Sequence, residues 1–163
     1  MTLVGVKGQI DVPELKPHVI DQVGCIYIPY VSSCFTGQTV RVFNSDPALH
    51  NVHVNDPNYT GSARINPAQL PNGPPIDLKF DEPMEFMKFK CDVHPWMFAY
   101  LSVVPHPFHD VTDMNGRFEF PLPPPGEYVI KIRHRKIGIQ ERKFTVTAGG
   151  HEELKFEFSI EGE

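Results

Sequence analysis

Residues 90–98 read KCDVHPWMF, and they hold three metal-binding side chains in a fixed order, Cys91, His94 and Met97. A thiolate, an imidazole and a thioether at the spacing Cys-x-x-His-x-x-Met form a soft donor set, which favours copper. Structural zinc prefers four strong nitrogen or sulfur donors, and methionine is not among its usual ligands. The stretch therefore predicts a copper site that needs one more strong ligand from elsewhere in the chain.

Two upstream histidines compete for the remaining ligand place. His50 and His53 lie within LHNVH, residues 49–53. Successive side chains of an extended segment alternate between its faces, so residues three positions apart point to opposite sides. The Pro-x-x-His-Asn context favours His50 as the ligand, and His53 is then expected to be a structural histidine.

The two motifs together, residues 49–53 and 91–97, resemble the ligand motifs of the cupredoxins, the small blue copper proteins. The likeness is strongest to the amicyanin-like members, whose short ligand loop has a Pro directly after its second His, as Pro95 is here. The resemblance implies four copper ligands: His50, Cys91, His94 and axial Met97. It also implies that Asn51 ties the two ligand loops together by hydrogen bonding.

The residues beside the loop have two compatible interpretations. Pro95, Trp96 and Phe98 are expected to surround the site. Trp96 and Phe98 either shield the copper and shape the electron-exit surface around His94, or cap the end of a β-sandwich. Both roles can hold at once, since a dry shell around a thiolate also tunes its redox potential.

The composition indicates an all-β protein without a nucleic-acid function. Seventeen Pro and twelve Gly among 163 residues, with few long helical patterns, predict many turns and strands. The net charge of −5 argues against nucleic-acid binding, which needs a basic surface. The sequence contains no run of about 18 apolar residues, so no transmembrane helix is predicted.

The cellular location is predicted from the resemblance. Copper-thiolate proteins of this type work outside the cytoplasm, so a periplasmic or otherwise extracytoplasmic location is expected. Residues 1–8 lack the charged start and long apolar region of a signal peptide, so a leader is expected to have been removed.

Alternation of apolar residues places the strands. They are predicted at residues 1–13, 25–31, 37–44, 51–55, 76–80, 84–90 and 98–104. Within residues 84–90, Met87 and Phe89 share a face with Cys91, which places Cys91 at a strand end facing the core. Residues 14–23 and 56–75 are predicted to be irregular.

The tail has a different pattern. Asn115-Gly116 within residues 112–120 predicts a β-hairpin with a type I′ turn. Further strands are predicted at residues 129–133, 140–146 and 154–160. The motifs at residues 112–118, 125–128 and 145–149 resemble the carboxypeptidase regulatory-like, or transthyretin-like, β-module.

Two domains are therefore expected. A Greek-key cupredoxin β-sandwich at residues 14–104 would be joined to a small transthyretin-like β-sandwich at residues 105–163, which the strand 1–13 would complete. The whole chain is similar to bacterial extracytoplasmic proteins that carry both elements. Where those proteins often have His, this chain has Tyr30, which puts any extra role of that strand in doubt.

Two further cysteines, Cys25 and Cys34, leave two possibilities open. An exported protein could join them in a disulfide. Alternatively, both could be thiols that behave as small hydrophobic side chains.

The predicted function is that of a mononuclear type 1 copper protein carrying single electrons, alone or in a larger redox complex. The expected partner is a c-type cytochrome or a membrane-associated redox complex. An enzyme is not expected, because no nucleophile has a partner base at recognisable spacing and no His-x-His pair could hold a second copper. The alternatives are a partner-binding or assembly protein with incidental copper, and a copper storage or delivery protein.

Overall fold

The structure is a computed structural model that describes residues 1–6, 15–55, 65–150 and 153–159. All regular structure in these ranges is β, which confirms the predicted all-β class, and no helix there is long and apolar enough to cross a membrane. The strands are β1 Thr2–Val4, β2 His18–Gln22, β3 Tyr27–Ile28, β4 Val31–Phe35, β5 Thr39–Asn44, β6 His50–Asn51, β7 His53–Asn55, β8 Ala68–Gln69, β9 Ile76–Lys79, β10 Met84–Lys90, β11 Phe98–Val104, β12 Gly126–His134 and β13 Gly138–Val146. The chain divides into two compact units, Val12–Pro105 and a second unit formed by Met1–Asp11 with His106–Glu163.

The unit Val12–Pro105 is a β-sandwich. One sheet has the strand order β3-β2-β5-β9, and the other has the order β4-β11-β10-β7. Each sheet contains one parallel pair, β2 with β5 and β4 with β11. Side chains from both sheets, among them Val42, Phe89 and Leu101, form one buried cluster. The two sheets therefore enclose a single core.

Strand β10 shows how the sequence pattern positions the site. Met87, Phe89 and Cys91 alternate with more exposed residues and are almost completely buried, as the apolar alternation predicted. β10 pairs with β11 on one side and with β7 on the other. Cys91 thus leaves the end of a central strand with its thiol facing the core.

Two strands lie where the sequence predicted irregular structure. β2 falls within residues 14–23, and its Ile20 and Gln22 point inward. The buried Gln22 amide donates hydrogen bonds to the Phe43 carbonyl and to the Gln69 side chain, so a polar residue fills a core position and hides the expected alternation. β8 lies within residues 56–75, and the remaining part 56–64 lies outside the described residues.

The predicted strand at residues 51–55 is interrupted. Val52 N donates to the Pro67 carbonyl at 2.9 Å, which separates β6 from β7. β6 pairs with β8, whereas β7 pairs with β10. The interruption lets two neighbouring segments serve different sheets.

The second unit is organised around a three-stranded sheet with the order β1-β12-β13. β1 is shorter than the predicted strand 1–13, of which residues 7–13 lie outside the described part. It pairs antiparallel with β12, and Leu3 opposes Ile130. Leu3, Phe108, Ile130 and Ile132 form the buried core of the unit. The transthyretin-like identity of this unit remains a prediction.

Two predicted tail elements are wrong in the described residues. Residues 112–120 form a turn but no strand pair. Asp113 N donates to the Arg117 carbonyl at 2.9 Å, and the Asp113 carboxylate accepts hydrogen bonds from the backbone N–H groups of Asn115 and Arg117, both at 2.8 Å. Gly116 has φ +77°, but Asn115 does not share a positive φ, so the turn is not type I′. Residues 154–159 also form no strand, and side chains of β13 bind the carbonyls of Lys155 and Glu157.

We expect the stability of this second unit to fall as the pH falls from about 6.5 to about 4. Burial, helped by the nearby His106, lowers the pKa of His109 to about 4. An unfolded His has a pKa of about 6.5, so below that pH the unfolded chain binds a proton that the folded chain resists. After allowance for solvent screening, the free energy of unfolding of this unit should fall by about 2 kcal/mol. Amide hydrogen exchange at Ile130 across this pH range measures it.

His109→Gln serves as the control for that prediction. Glutamine keeps a polar side chain of similar length but does not titrate, so the pH dependence should become flatter. An unchanged pH profile in this variant would show that His109 is not the responsible group.

Candidate metal centre

Three potential metal-binding atoms from two loops converge at one end of the sandwich. His50 lies in β6, and Cys91 and His94 lie in the loop between β10 and β11. His50 Nδ1 is 2.9 Å from His94 Nδ1, and Cys91 Sγ is 3.8 Å from each of these nitrogens. His50 and Cys91 are buried, whereas His94 is partly exposed.

These distances fit one shared metal ion. Imidazole nitrogen lies about 2.0–2.1 Å, and thiolate sulfur about 2.3 Å, from a bound first-row metal such as zinc. With such bonds, the observed separations correspond to angles of roughly 90° between the two nitrogens and roughly 120° between sulfur and each nitrogen. One thiol and two imidazoles are a donor set that suits copper. The site can therefore hold one copper ion.

Met97 closes the ligand loop. Its carbonyl accepts a hydrogen bond from Cys91 N at 3.1 Å, and its N–H donates to the His94 carbonyl at 2.9 Å. These two bonds fold residues 91–97 into a tight turn. The Met97 side chain is completely buried in the sandwich core. Its role as axial ligand remains a prediction.

Asn51 joins the two ligand loops. Its side-chain oxygen accepts a hydrogen bond from Asp92 N at 2.7 Å and lies 3.3 Å from Cys91 Sγ. The Tyr27 hydroxyl donates to the Asn51 carbonyl at 2.7 Å. Burial, and then the nearby Cys91 and Asp92, raise the pKa of Tyr27, so the phenol keeps its proton and remains a donor. The β6 segment is thereby fixed against the loop that carries Cys91.

His53 lies apart from the convergent atoms. Its Nδ1 is 2.8 Å from Asp92 Oδ2, and Lys90 Nζ is 3.0 Å from the other oxygen of that carboxylate. The hydrogen bond from His53 and then the one from Lys90 lower the pKa of Asp92. This buried imidazole thus orients the start of the ligand loop, which is a structural contribution.

Asp46 holds His50 from the side opposite to Cys91. Its Oδ2 lies 2.9 Å from His50 Nε2. A carboxylate only accepts hydrogen bonds, so Nε2 carries the hydrogen and leaves Nδ1 free to bind a metal. Burial would raise the pKa of Asp46, but hydrogen bonds from Cys25 N, His50 and Gly24 N outweigh it and lower that pKa. Asp46 therefore sets the orientation and the tautomer of a predicted ligand.

The sequence analysis missed one neighbour of the site. The Cys25 thiol and metal-binding atoms of His50 and His94 all lie within 4.8 Å of one another. Cys25 and Cys34 are free thiols, so the possible disulfide between them is not formed. Cys34 is buried in the core, and burial raises the pKa of its thiol to about 12. Of these two cysteines, Cys25 alone lies near the metal-binding atoms. The motif spacing could not reveal it, because Cys25 lies in a turn far along the chain from the ligand loop.

The chain resembles several copper proteins of known structure. No family model matches the chain, and no curated protein does. A Cu(I) form of a methionine-to-alanine mutant of amicyanin shows 26% identity and a TM-score of 0.48, covering 55% of this chain and 86% of that one. A purple cupredoxin from Nitrosopumilus maritimus shows 26% identity and a TM-score of 0.44, covering 53% and 98%. These neighbours are cupredoxins.

An enzyme also appears among the similar structures. A copper-containing nitrite reductase from Thermus scotoductus shows 24% identity and a TM-score of 0.46, covering 61% of this chain and 24% of that one. The neighbours therefore include both small cupredoxins and one much longer enzyme chain.

The remaining predicted neighbours of the site lie on its outer side. Trp96 is 62% exposed, and its ring centroid is 5.2 Å from that of His94. Pro95 is also exposed. Phe98 is half-buried, packs against Tyr30 at 5.6 Å between ring centroids, and lies under Lys88 Nζ. Trp96 therefore borders the His94 edge, while Phe98 packs with residues of the sheet.

Proposed function

We propose that this protein is a mononuclear type 1 copper protein that carries single electrons between redox partners. The supporting observation is the convergence of Cys91 Sγ with the Nδ1 atoms of His50 and His94. We assign His50, Cys91 and His94 as the strong ligands and Met97 as the weak axial ligand. One thiolate, two imidazoles and a distant thioether are the donor set of electron-transfer copper sites.

The surrounding residues would hold the donors rigidly. Copper, when bound, supplies the one-electron couple. Asp46 fixes the His50 ring, Asn51 fixes the Cys91 loop, and the two Met97 backbone bonds close that loop. Donors that are fixed before a change of oxidation state need little rearrangement, which favours fast electron transfer. Support from neighbouring hydrogen bonds of this kind also tunes the site.

The exposure of the donors favours electron passage over substrate chemistry. His50, Cys91 and Met97 are buried, and only His94 among the four reaches the surface. The exposed apolar residues Leu49, Val93 and Trp96 belong to the segments that flank the ligands. An exposed imidazole edge among apolar side chains suits a short-lived contact with a redox protein. We infer a c-type cytochrome or a membrane-associated redox complex as partner, and a periplasmic or other extracytoplasmic location.

Visible absorption during titration with Cu(II) tests the proposal. We expect an intense thiolate-to-copper band that saturates at one copper per chain. It should bleach with ascorbate and return on reoxidation, and voltammetry should show one reversible couple. Absence of the band at full copper occupancy would contradict the proposal. Rapid loss of Cu(I) to a weak chelator would favour the storage or delivery alternative instead.

A further inference from the structure

We propose that Cys25 is a second thiol donor of the copper centre and that it binds the reduced ion, Cu(I). This inference rests on the proposed function, because it concerns the same metal. It adds a ligand that the Cys-x-x-His-x-x-Met motif does not contain. The predicted site has one sulfur from Cys91 and one from Met97; Cys25 would make the set richer in thiolate.

The first observation is the position of the thiol. Cys25, His50 and His94 each offer one metal-binding atom, and these three atoms lie within 4.8 Å of one another. Both imidazoles also lie 3.8 Å from Cys91 Sγ. The two histidines are thus shared by two thiols from different parts of the chain. Cys25 is half-buried, and its thiol approaches the same two imidazoles that Cys91 approaches from the other loop.

The second observation is the backbone that carries the thiol. Gly24 and Cys25 have φ angles of +65° and +56°, and Val23 and Ile26 exchange backbone hydrogen bonds of 3.0 and 3.3 Å around them. This is the geometry of a two-residue turn with both central residues left-handed, where Asn-Gly, Asp-Gly or Gly-Gly is preferred. A cysteine with positive φ is uncommon, and such outliers persist where the surroundings enforce them.

The third observation is what enforces this turn. Asp46 Oδ1 accepts a hydrogen bond from Gly24 N at 2.6 Å, and its Oδ2 accepts one from Cys25 N at 2.8 Å. Oδ2 also holds His50 Nε2. One carboxylate therefore fixes the cysteine turn and a copper ligand relative to each other. The backbone of Cys25 is held by the same carboxylate that orients His50.

The chemistry favours the reduced ion. Thiolates are soft ligands that select Cu(I). As the copper–sulfur bond forms, the Cys25 S–H bond breaks and its proton passes to solvent, so no oxidant or reductant is consumed. Cys25 would then stabilise Cu(I) in the site and raise the reduction potential of the centre relative to a chain without that thiol.

The test uses Cys25→Gly, with Cys34→Ala as the matched control. Glycine suits the left-handed turn, so the first variant should fold. The second removes a free thiol that lies opposite Val103, at the end of β11 away from the ligand loop. Affinity for Cu(I) is measured anaerobically by competition with a chromogenic Cu(I) chelator. We expect at least about a tenfold loss in Cys25→Gly and little change in Cys34→Ala, by analogy with the loss of a metal-site partner. Voltammetry should show a lower potential in Cys25→Gly alone.

Alkylation of the native protein by iodoacetamide, read by mass spectrometry, gives an independent measurement. Cys25 should react in the copper-free protein and be protected by one equivalent of Cu(I). Equal reactivity with and without Cu(I) would overturn the proposal. So would protection without any change of Cu(I) affinity in Cys25→Gly, because it would mean only that the site is covered. If copper binds with the expected band and Cys25 still reacts, this inference fails while the proposed function stands; if no copper binds, both fail.

Discussion

Cys91→Ser is expected to abolish the intense copper absorption band and the reversible electron transfer. The band requires a thiolate bound to Cu(II), and a serine hydroxyl is a hard, poor ligand for Cu(I). Copper affinity should fall by more than the 10- to 100-fold that is typical of losing an outer-shell partner, because a direct donor is removed. The measurements are a Cu(II) titration followed by absorption and voltammetry.

The structure supplies the controls for this experiment. Cys34→Ala should keep the band, since Cys34 pairs with Val103, at the end of β11 away from the ligand loop. Any weak thiolate absorption left in Cys91→Ser should disappear in the double variant Cys91→Ser/Cys25→Gly, because Cys25 is the other thiol near the histidines. A full-strength band in Cys91→Ser would show that Cys91 is not the copper thiolate.

Asp46→Ala is expected to destabilise the sandwich unit and weaken copper binding together. Its carboxylate accepts hydrogen bonds from Gly24 N, Cys25 N and His50 Nε2. Alanine leaves a buried imidazole N–H and the turn without these partners, so the free energy of unfolding should fall by about 3 kcal/mol. The freed His50 ring no longer has a fixed tautomer, so copper affinity should fall roughly 10- to 100-fold. Urea unfolding of the copper-free protein and copper competition measure the two effects separately.

Asp77→Ala provides the comparison for Asp46→Ala. Asp77 is an exposed carboxylate that binds Arg41 on the surface of the sandwich, with two contacts of 2.7 Å. Exposed ion pairs are screened by water and contribute little. The free energy of unfolding and the copper affinity of Asp77→Ala should therefore stay close to those of the wild type. An equally small effect of Asp46→Ala would mean that Asp46 is not needed to hold the turn and the histidine.

The part of the site that the sequence predicts well is local. Cys91, His94 and Met97 lie within one short loop, so their spacing alone predicts a soft donor set before any fold is known. The alternation of Met87 and Phe89 with polar residues likewise predicted which face of β10 is buried, because strand periodicity depends only on neighbours. His50 could be preferred over His53 from its context, and the structure places its ring, not that of His53, beside Cys91 and His94.

The parts that the sequence does not predict depend on contacts between distant segments. Cys25 comes to the histidines only because the Asp46 carboxylate holds its turn there. β2 is a central strand whose inward Gln22 donates its amide N–H to Gln69, a partner 47 residues away. A polar residue therefore occupies a core position that a pattern based on hydrophobicity assigns to the surface. At residues 112–120, the side chain of Asp113 binds the backbone of a turn that differs from the expected type I′ turn and that no paired strands continue. In each case a single polar side chain decides the local structure.

The parallel pairing of β4 with β11 has a consequence for the order of assembly. It joins segments far apart in the chain, such as Val31 and Tyr100, and Asn51 meets Cys91 across 40 residues. Such non-local pairing must close long loops before any contact is gained, which makes folding slow, in the millisecond-to-second range. The donors on β6 and on the β10–β11 loop come together through another non-local pairing, that of β7 with β10, in which His53 opposes Lys90. Copper should therefore load a chain that has already folded, and the colour of the bound metal should appear as a late step in refolding.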